Sequence, residues 1–373
     1  MDKPKIAIIG MGFLMSYLKP CYHHVIGKNL QNNIVASTNS ASTIEKKSKE
    51  MGFPVQCQEY YSMLVDFEPD IILFAPPPSA AKAIAKDILA PYYDSLRQNG
   101  NIFPPLYAFP PYPQGNFYLD TIGHDIYVVN ILPNMAAKLK EHDISKESYT
   151  IFTFSEENKW PDNLFRELEN FFSPIGYTVS VPSNKFKTML GGFTSSHITE
   201  EIAISVSDGL TKGGIEIPYS TVAGAMRFAL LNKFNRHIPN SLECAPLSDD
   251  RVNEAVKNVI MSVYNGMMDY YTKNGMDTQL GMDILIPQID IFLQSAQLLS
   301  LEEISYNNSC HATKGGLLEK ALNMYHNEVE VNIVNTFANF AERGTVGHLY
   351  QFIHDKSGEI CSAVSEHGSR FAG

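Results

Sequence analysis

The protein has 373 residues, 44% hydrophobic and 18% charged, a composition typical of a globular protein with enough length for two or three domains. Its formal net charge of -11, without a long run of Lys or Arg, argues against nucleic acid or an anionic membrane surface as a partner. The opening MDKPKIAIIG does not resemble a signal peptide, and no segment approaches the roughly 18 apolar residues of a membrane span, so we expect a cytoplasmic protein.

Residues 5–18, KIAIIGMGFLMSYL, predict a buried strand, a glycine turn and a helix. In a dinucleotide-binding turn the first glycine allows a sharp bend, and the second lets the backbone approach a pyrophosphate. Gly10 and Gly12 fit these roles, and we expect Phe13 and Leu14, which follow them, to contact the cofactor as well. The third glycine of the usual fingerprint is replaced by Met15, so the motif alone is weak.

A second strand, NIVAST, begins at Asn33 and is followed by small polar residues. An enzyme selective for NAD tends to carry an acid there for the ribose hydroxyl. This chain instead has Ser37, Thr38 and Asn39, with Lys46 and Lys47 a little further on, which favours a 2′-phosphate and therefore NADPH over NADH. The alternative is a polar loop with solvated lysines.

The segment DIILFAPPPS, from Asp70, predicts another buried strand, and its prolines end that strand. Ala75 and Pro76 then lie where a nicotinamide ring would be expected. GNIFPPLYAF and IYVVNILPNM supply further strands, and the alternation of strands and helices predicts an α/β Rossmann domain, a doubly wound parallel sheet, over about residues 1–178.

The second half of the chain, residues 179–373, predicts an all-α helical domain. In RVNEAVKNVIMSVYNGMMDYY, apolar residues recur at helical spacing and predict one buried stripe, either core or subunit interface. The stripe comprises Val252, Val256, Val259, Ile260, Val263, Met267 and Tyr270.

The segment GGFTSSHITEE predicts a helix start at Ser195, Ser196 and His197, where unpaired backbone N–H groups would favour a carboxylate. The alternative for the serines is plain helix capping. His197 could donate a proton near neutral pH, or it could be a packed residue. Glu200 and Glu201 are interpreted as the solvated first turn of the helix rather than as catalytic groups.

The late segment SCHATKGGLLEKAL predicts a glycine turn at Gly315 and Gly316 that leads into a helix from Leu317. Thr313 and Lys314 precede the glycines, and a lysine ammonium there could hold a substrate carboxylate. The alternative is a solvated lysine beside a turn.

The order and spacing of these motifs resemble the pyrroline-5-carboxylate reductase family. The resemblance rests on Leu132-Pro133-Asn134 at the end of a strand, GGFTSSHITEEIAISVSDGL at a long helix, the turn Gly214-Ile215-Glu216-Ile217-Pro218, and Ala312-Thr313-Lys314-Gly315-Gly316-Leu317-Leu318. It implies that Asn134 lies at the cofactor and that Ser196, His197, Thr313 and Lys314 act on the substrate. It further implies NADPH-dependent reduction of a small, carboxylated imine by a homodimer or higher homo-oligomer, with a helical dimerisation and substrate domain.

The chain also departs from the family pattern. Met15 replaces the third glycine, Lys314 replaces a proline, Leu317 and Leu318 replace the threonine pair that holds the substrate, and residues 235–305 form an inserted helical segment. Two alternatives therefore stay open: a hydroxyacid-type dehydrogenase, for which Lys185 and Lys187 fit poorly, and a catalytically silent NADP-binding protein that contacts a partner.

The sequence predicts neither a metal site nor a disulfide framework. Its five cysteines lie far apart and do not form Cys-x-x-Cys, and the adjacent His23 and His24 would point apart on a helix.

Overall fold

The computed structural model describes residues 3–134, 148–236, 244–312, 315–343 and 346–370. These residues divide into two compact units, one containing residues 3–134 and 148–184 and the other residues 185–370. We call them the Rossmann unit and the helical unit. The division follows Asn184, whereas the sequence prediction placed it after residue 178.

The Rossmann unit is built on one sheet. Its strands are β1 (Ile6–Ile9), β2 (Ile34–Thr38), β3 (Val55–Cys57), β4 (Ile71–Phe74), β5 (Leu106–Ala108), β6 (Val128–Pro133), β7 (Tyr149–Phe154) and β8 (Tyr177–Ser180). They are arranged in the order β3-β2-β1-β4-β5-β6-β7-β8.

The first six strands of this sheet are parallel, and β7 pairs antiparallel with β6. The chain moves outward from β1 in one direction through β2 and β3, and then in the other direction from β4 onward. The direction therefore switches between β1 and β4, the place in such sheets where a crevice forms at the carboxyl ends of the strands.

The alternation of side chains along β1 explains why both faces of the sheet are covered. Ile6 and Ile8 belong to one apolar cluster, and Ala7 and Ile9 belong to the other. All four are fully buried, as expected for a parallel strand with helices on both sides.

Between these strands, the described residues of the Rossmann unit form eight α-helices. They are α1 (Phe13–Tyr17), α2 (Lys19–Ile26), α3 (Ile44–Met51), α4 (Tyr60–Phe67), α5 (Pro78–Ile84), α6 (Ala90–Asn99), α7 (Gly115–Ile122) and α8 (Asp162–Phe172). A π-helical turn over Ala85–Leu89 joins α5 to α6.

The described residues of the helical unit contain helices and no strand. Its helices are α9 (Phe186–Ser195), α10 (Ile198–Lys212), α11 (Tyr219–Lys233), α12 (Asp250–Lys273), α13 (Thr278–Leu298), α14 (Leu301–His311), α15 (Leu317–Met324), α16 (Glu330–Ala338), α17 (Phe340–Arg343) and α18 (Gly347–Ser369). A π-helical turn over Tyr325–Val329 joins α15 to α16.

Local capping explains where several of these helices begin. Asp249 accepts hydrogen bonds from the backbone of Arg251 and Val252 at the start of α12, and Ser300 with Glu303 forms a capping box at α14. The apolar stripe predicted along α12 is buried throughout, which confirms that prediction.

The structure confirms the predicted fold class, a mostly parallel Rossmann-like sheet followed by a helical region. Within the described part of the chain, no helix is both long and apolar enough to cross a membrane.

Candidate functional site

The first glycine of the turn after β1 is required by the protein itself. Gly10 has a φ of +95°, and a Cβ atom there would lie 2.4 Å from the carbonyl oxygen of Ala75. The backbone N–H groups of Gly10 and Met11 donate to the carbonyl oxygen of Ser37, at 2.9 and 3.1 Å. The turn is thereby held against the carboxyl ends of β2 and β4.

The second glycine, Gly12, has no such requirement. Its φ is −101°, and a Cβ atom there would find no heavy atom within 4 Å. Neither its backbone conformation nor packing against the described residues explains a glycine at this position. The missing side chain instead leaves the surface of the turn open to the close approach of a ligand.

Met15, at the place of the third glycine, is fully buried and belongs to an apolar cluster on one face of the sheet. The helix that contains it, α1, has only 5 residues, and α2 follows with Pro20 in its first turn. The Tyr22 hydroxyl donates to the Met15 carbonyl oxygen at 3.0 Å, across the junction of the two helices. A short, broken helix thus replaces the long helix that normally follows such a turn.

A cavity of about 250 Å³ opens beside the glycine turn at the point where the strand order switches. Gly10, Asn39, Gln58, Tyr60, Pro76, Pro77, Ala80 and Ile84 line it. Gly10, Asn39 and Pro76 are among the cofactor residues predicted from the sequence, and the other lining residues are not. Gln58 and Tyr60 follow β3, a strand of 3 residues that has little pattern of its own, so the sequence contained no usable signal for them.

The end of β2 has the polar, acid-free character that the sequence predicted. Ser37 and Thr38 are buried, and Asn39 is exposed at the rim of the cavity. The Ser37 hydroxyl has no hydrogen-bond partner among the described residues, while the Thr38 hydroxyl accepts from the Ser40 backbone at 3.4 Å. The absence of a carboxylate from this strand end removes the usual partner of a ribose 2′-hydroxyl.

Two lysines of α3 differ in position. Lys46 is exposed, whereas Lys47 is half-buried and donates from Nζ to the carbonyl oxygen of Met11, inside the glycine turn. Burial lowers the pKa of Lys47, partly offset by the nearby charge of Glu50.

The remaining predicted cofactor residues lie around the same edge of the sheet. Phe13 is 47% exposed and Leu14 is half-buried, both in the first turn of α1. Asn134 follows β6 and is fully buried, and its carbonyl oxygen accepts from the Tyr17 hydroxyl at 3.1 Å. Asn134 therefore holds the end of α1 to the sheet.

In the helical unit, Ser196 and His197 do not start a helix with unused N–H groups, and that prediction is corrected. They join α9 to α10, and the backbone N–H of Ser196 donates to the Gly192 carbonyl oxygen at 3.0 Å. The Ser196 hydroxyl donates to the same oxygen at 2.8 Å. These N–H groups already donate hydrogen bonds within the protein, because the chain continues in near-helical geometry from the preceding helix.

The His197 ring is buried, with its centroid 3.8 Å from that of Phe292. Its Nδ1 lies 3.1 Å from the Thr194 carbonyl oxygen. Because a carbonyl oxygen can only accept, Nδ1 carries the proton, and proton exchange with any other group would use Nε2.

The glycine pair in front of these residues is explained by helix packing. A Cβ atom on Gly191 would lie 2.6 Å from the Cys361 carbonyl oxygen, and one on Gly192 would lie 2.6 Å from the ring of Tyr271. The pair lets α9 approach α12 and α18 closely.

The interpretation of Glu200 and Glu201 as a solvated first turn is wrong for Glu200, which is fully buried. Glu201 is partly buried, and its Oε1 accepts from the Asn308 side chain at 3.0 Å. Burial, together with neighbouring Glu200, raises the pKa of Glu201. Tyr325, the first residue of the π-helical turn, donates to the Glu201 carbonyl oxygen at 3.1 Å, so its side chain contacts this first turn of α10.

At the late glycine turn, Thr313 and Lys314 lie outside the described residues. Gly315 has a φ of +72°, and its N–H donates to the Glu319 carboxylate at 2.6 Å. Gly316 precedes the first residue of α15, as predicted. The described part of the chain contains no cluster of three or more His, Cys, Asp or Glu side chains suited to a metal ion.

No protein-family model matches the sequence, and no curated protein matches it significantly. Solved structures match in fold. The pyrroline-5-carboxylate reductase of Streptococcus pyogenes is 17% identical over 79% of this chain and 99% of that chain, with a TM-score of 0.46. The pyrroline-5-carboxylate reductase of Coxiella burnetii is 10% identical, and the match covers 92% of this chain and 100% of that chain, with a TM-score of 0.41. Prephenate dehydrogenase of A. aeolicus is 13% identical, and the match covers 89% of this chain and 97% of that chain, with a TM-score of 0.41. Similarity at these levels carries no argument about activity or substrate.

Proposed function

We propose that the protein is an NAD(P)H-dependent oxidoreductase that reduces a carbon–nitrogen double bond in a small, carboxylated imine. The observation that supports this most strongly is the cavity at the switch point of the sheet, beside a turn whose second glycine has no structural explanation within the protein. The order of motifs that resembles pyrroline-5-carboxylate reductase supplies the reaction class.

The residues at the turn fit a dinucleotide. The open surface over Gly12 would admit a diphosphate to the backbone of Gly12, Phe13 and Leu14. The cavity lined by Asn39, Tyr60 and Ile84 combines an amide edge with aromatic and aliphatic walls, which suits an adenosine.

The strand ends on the other side of the switch point would take the nicotinamide, at Ala75, Pro76 and Asn134. When bound, the reduced nicotinamide supplies the hydride. The protein must position the acceptor carbon, hold the substrate carboxylate and provide a proton.

In this proposal NADPH is preferred over NADH. The end of β2 has no carboxylate, because its residues are Ser37, Thr38 and Asn39. No negative charge at this strand end would therefore repel a 2′-phosphate.

The groups proposed to act on the substrate belong to the helical unit. Thr313 and Lys314 would hold the carboxylate, and His197 would exchange a proton through Nε2, with Ser196 beside it. Replacing His197 by Gln should lower kcat by roughly 10²- to 10⁴-fold, as for the loss of a general acid, and should leave coenzyme affinity unchanged. Steady-state kinetics with parallel binding measurements test this.

The coenzyme site is tested by filling the cavity. Ala80→Trp places a large side chain among the lining residues, and Ala83→Trp, at an exposed position of the same helix, is its matched control. Calorimetric titration should show NADPH binding to the unaltered protein and to Ala83→Trp, and none to Ala80→Trp. Absence of binding of NADPH and NADH to the unaltered protein would contradict the proposal.

The reaction is tested by following NADPH oxidation with a panel of cyclic imines and 2-oxo acids. Turnover of an imine is expected. Turnover of keto or hydroxy acids alone would replace the imine reductase proposal by the hydroxyacid dehydrogenase alternative.

One observation favours a second candidate, a protein that binds NADP without reducing a substrate. The Ser196 hydroxyl and the Nδ1–H of His197 are both directed to carbonyl oxygens of their own helical segment. Coenzyme binding without turnover of any compound in the panel would support this candidate.

Assembly as a homodimer or larger homo-oligomer, in the cytoplasm, completes the proposal. Light scattering coupled to size-exclusion chromatography measures the assembly directly, and a monomer across the accessible concentration range would contradict it.

A further inference from the structure

Lys47 is placed differently from the other two lysines of its helix, Lys46 and Lys49, which are both exposed. Its Nζ reaches the carbonyl oxygen of Met11, the residue between the two glycines of the turn, from α3. Its neighbour Lys46 is exposed. The structure thus brings the charge of Lys47, and not that of Lys46, to the turn.

The charge of Lys47 is poorly compensated where it lies. Its only described hydrogen bond is to a backbone carbonyl, and no described carboxylate forms an ion pair with it. Burial lowers its pKa, which shows that desolvation of the ammonium outweighs the influence of Glu50. A half-buried cation that no described carboxylate reaches within ion-pairing distance is the arrangement that an incoming oxyanion would stabilise.

The loop that leads from β2 into the helix of Lys47 carries hydroxyl groups and no acid. Between β2 and α3, the Ser40 and Ser42 hydroxyls lie 3.3 Å apart, and the Thr43 hydroxyl donates to the Ser40 carbonyl oxygen at 3.0 Å. Ser42 is exposed, so its hydroxyl is accessible to a ligand. Small hydroxyl side chains with one lysine form a donor set suited to a phosphate monoester.

We propose that Lys47 binds the 2′-phosphate of the adenosine ribose and that this residue, rather than Lys46, sets the preference for NADPH over NADH. This inference rests on the proposed function. The bond to Met11 holds the lysine at the turn, so the phosphate site is formed before the coenzyme arrives.

The test compares Lys47→Met with Lys46→Met, which removes the same charge one residue earlier. Calorimetric titration with NADPH should show affinity lowered roughly 10- to 100-fold in Lys47→Met, the range expected for one charge-assisted contact. Affinity for NADH should be unchanged in Lys47→Met, and Lys46→Met should bind both coenzymes as the unaltered protein does.

Lys47→Arg separates loss of charge from loss of structure, since it keeps the charge and should retain most of the preference for NADPH. Melting temperatures of all three variants show whether the fold is kept. If Lys47→Met weakens NADPH and NADH equally, the lysine acts on the diphosphate or on the turn, and the inference is wrong. It is equally wrong if Lys47→Met alters neither affinity.

Failure of the wider proposal gives a different result. In that case the unaltered protein binds neither NADPH nor NADH, before any variant is compared. Titration with adenosine 2′,5′-bisphosphate, which carries the 2′-phosphate without nicotinamide, should reproduce the loss of affinity in Lys47→Met.

Discussion

Each unit of the protein carries a pair of closely spaced glycines beside predicted site residues, but the two pairs have different neighbours. In the helical unit, Gly191 and Gly192 are enclosed by Cys361 and Tyr271, so packing explains both. In the Rossmann unit, Gly10 is fixed by its backbone conformation and by Ala75, whereas Gly12 faces open space. A glycine motif therefore indicates a ligand only where the protein itself does not fill the space.

The largest effect is expected for Gly10→Ala. The alanine would have to adopt a φ of +95° and would place Cβ 2.4 Å from a backbone oxygen. Conformational strain and overpacking together should lower the free energy of unfolding by about 3–5 kcal/mol. Urea denaturation measures the change, and a loss below about 1 kcal/mol would show that the turn can relax away from β4.

The next effect is expected for Gly192→Ala. Its backbone conformation is ordinary, so only the contact with Tyr271 opposes the new methyl group. We expect a loss of about 1–3 kcal/mol, the usual range for overpacking. Gly347→Ala is the matched control, since a Cβ atom at this first residue of α18 meets nothing within 4 Å. Equal stability of the two variants would contradict the distinction between glycines whose Cβ position is occupied by a neighbouring atom and glycines whose Cβ position is open.

The two units also differ in the neighbours of a half-buried ionisable side chain. Lys47 donates to the Met11 carbonyl oxygen and lies near one opposite charge, Glu50. Glu201 accepts from Asn308 and lies near two like charges, Glu200 and Glu330, and near His326. Because burial raises the folded-state pKa of Glu201, its contribution to stability is greatest below its unfolded pKa of about 4.3 and falls as the pH rises through the folded pKa.

Glu201→Gln should therefore stabilise the protein at neutral pH and have little effect under acid conditions. Gln keeps an oxygen for Asn308 and removes the ionisation. Melting temperatures measured from pH 4 to pH 8 show the trend. A difference between variant and unaltered protein that does not change with pH would contradict the raised pKa.

The smallest effect on stability is expected for Gly12→Ala, within about 0.5 kcal/mol, because a methyl group there meets no protein atom. Coenzyme affinity should nevertheless fall, since the methyl group occupies the open surface of the turn. Calorimetric titration with NADPH beside urea denaturation separates the two results. Unchanged affinity would contradict the contrast between Gly12 and the enclosed pair Gly191 and Gly192.

The strand, glycine turn and helix at the start of the chain could be predicted because their signals are local. A buried strand, a turn that needs glycine and a helix follow one another within residues 5–18, and the structure has β1, the turn and α1 there. The length of α1 could not be read from the motif, because it depends on Pro20 and on the room that buried Met15 requires.

The rest of the cavity depends on strands that are adjacent in space and distant in sequence. Gln58 and Tyr60 follow β3, whose 3 residues lie at the sheet edge because of pairing with β2, and no local pattern indicates this. The serines at 195 and 196 were predicted as a helix start because serine favours that place. Their hydroxyls instead donate to carbonyl oxygens four residues back, which lets the helical path continue.

Burial of Glu200 was also beyond local reasoning. Acidic residues in a first helical turn are usually solvated, but α10 is packed against α11, α13 and α16, and α16 lies more than a hundred residues away along the chain.

The arrangement of the sheet has a consequence for biosynthesis. Every described strand lies within residues 6–180, before the first helix of the helical unit begins at Phe186. Because domains fold as units in the order of their synthesis, the complete sheet, with its glycine turn and cavity, can form on the ribosome while the helical unit is still being translated.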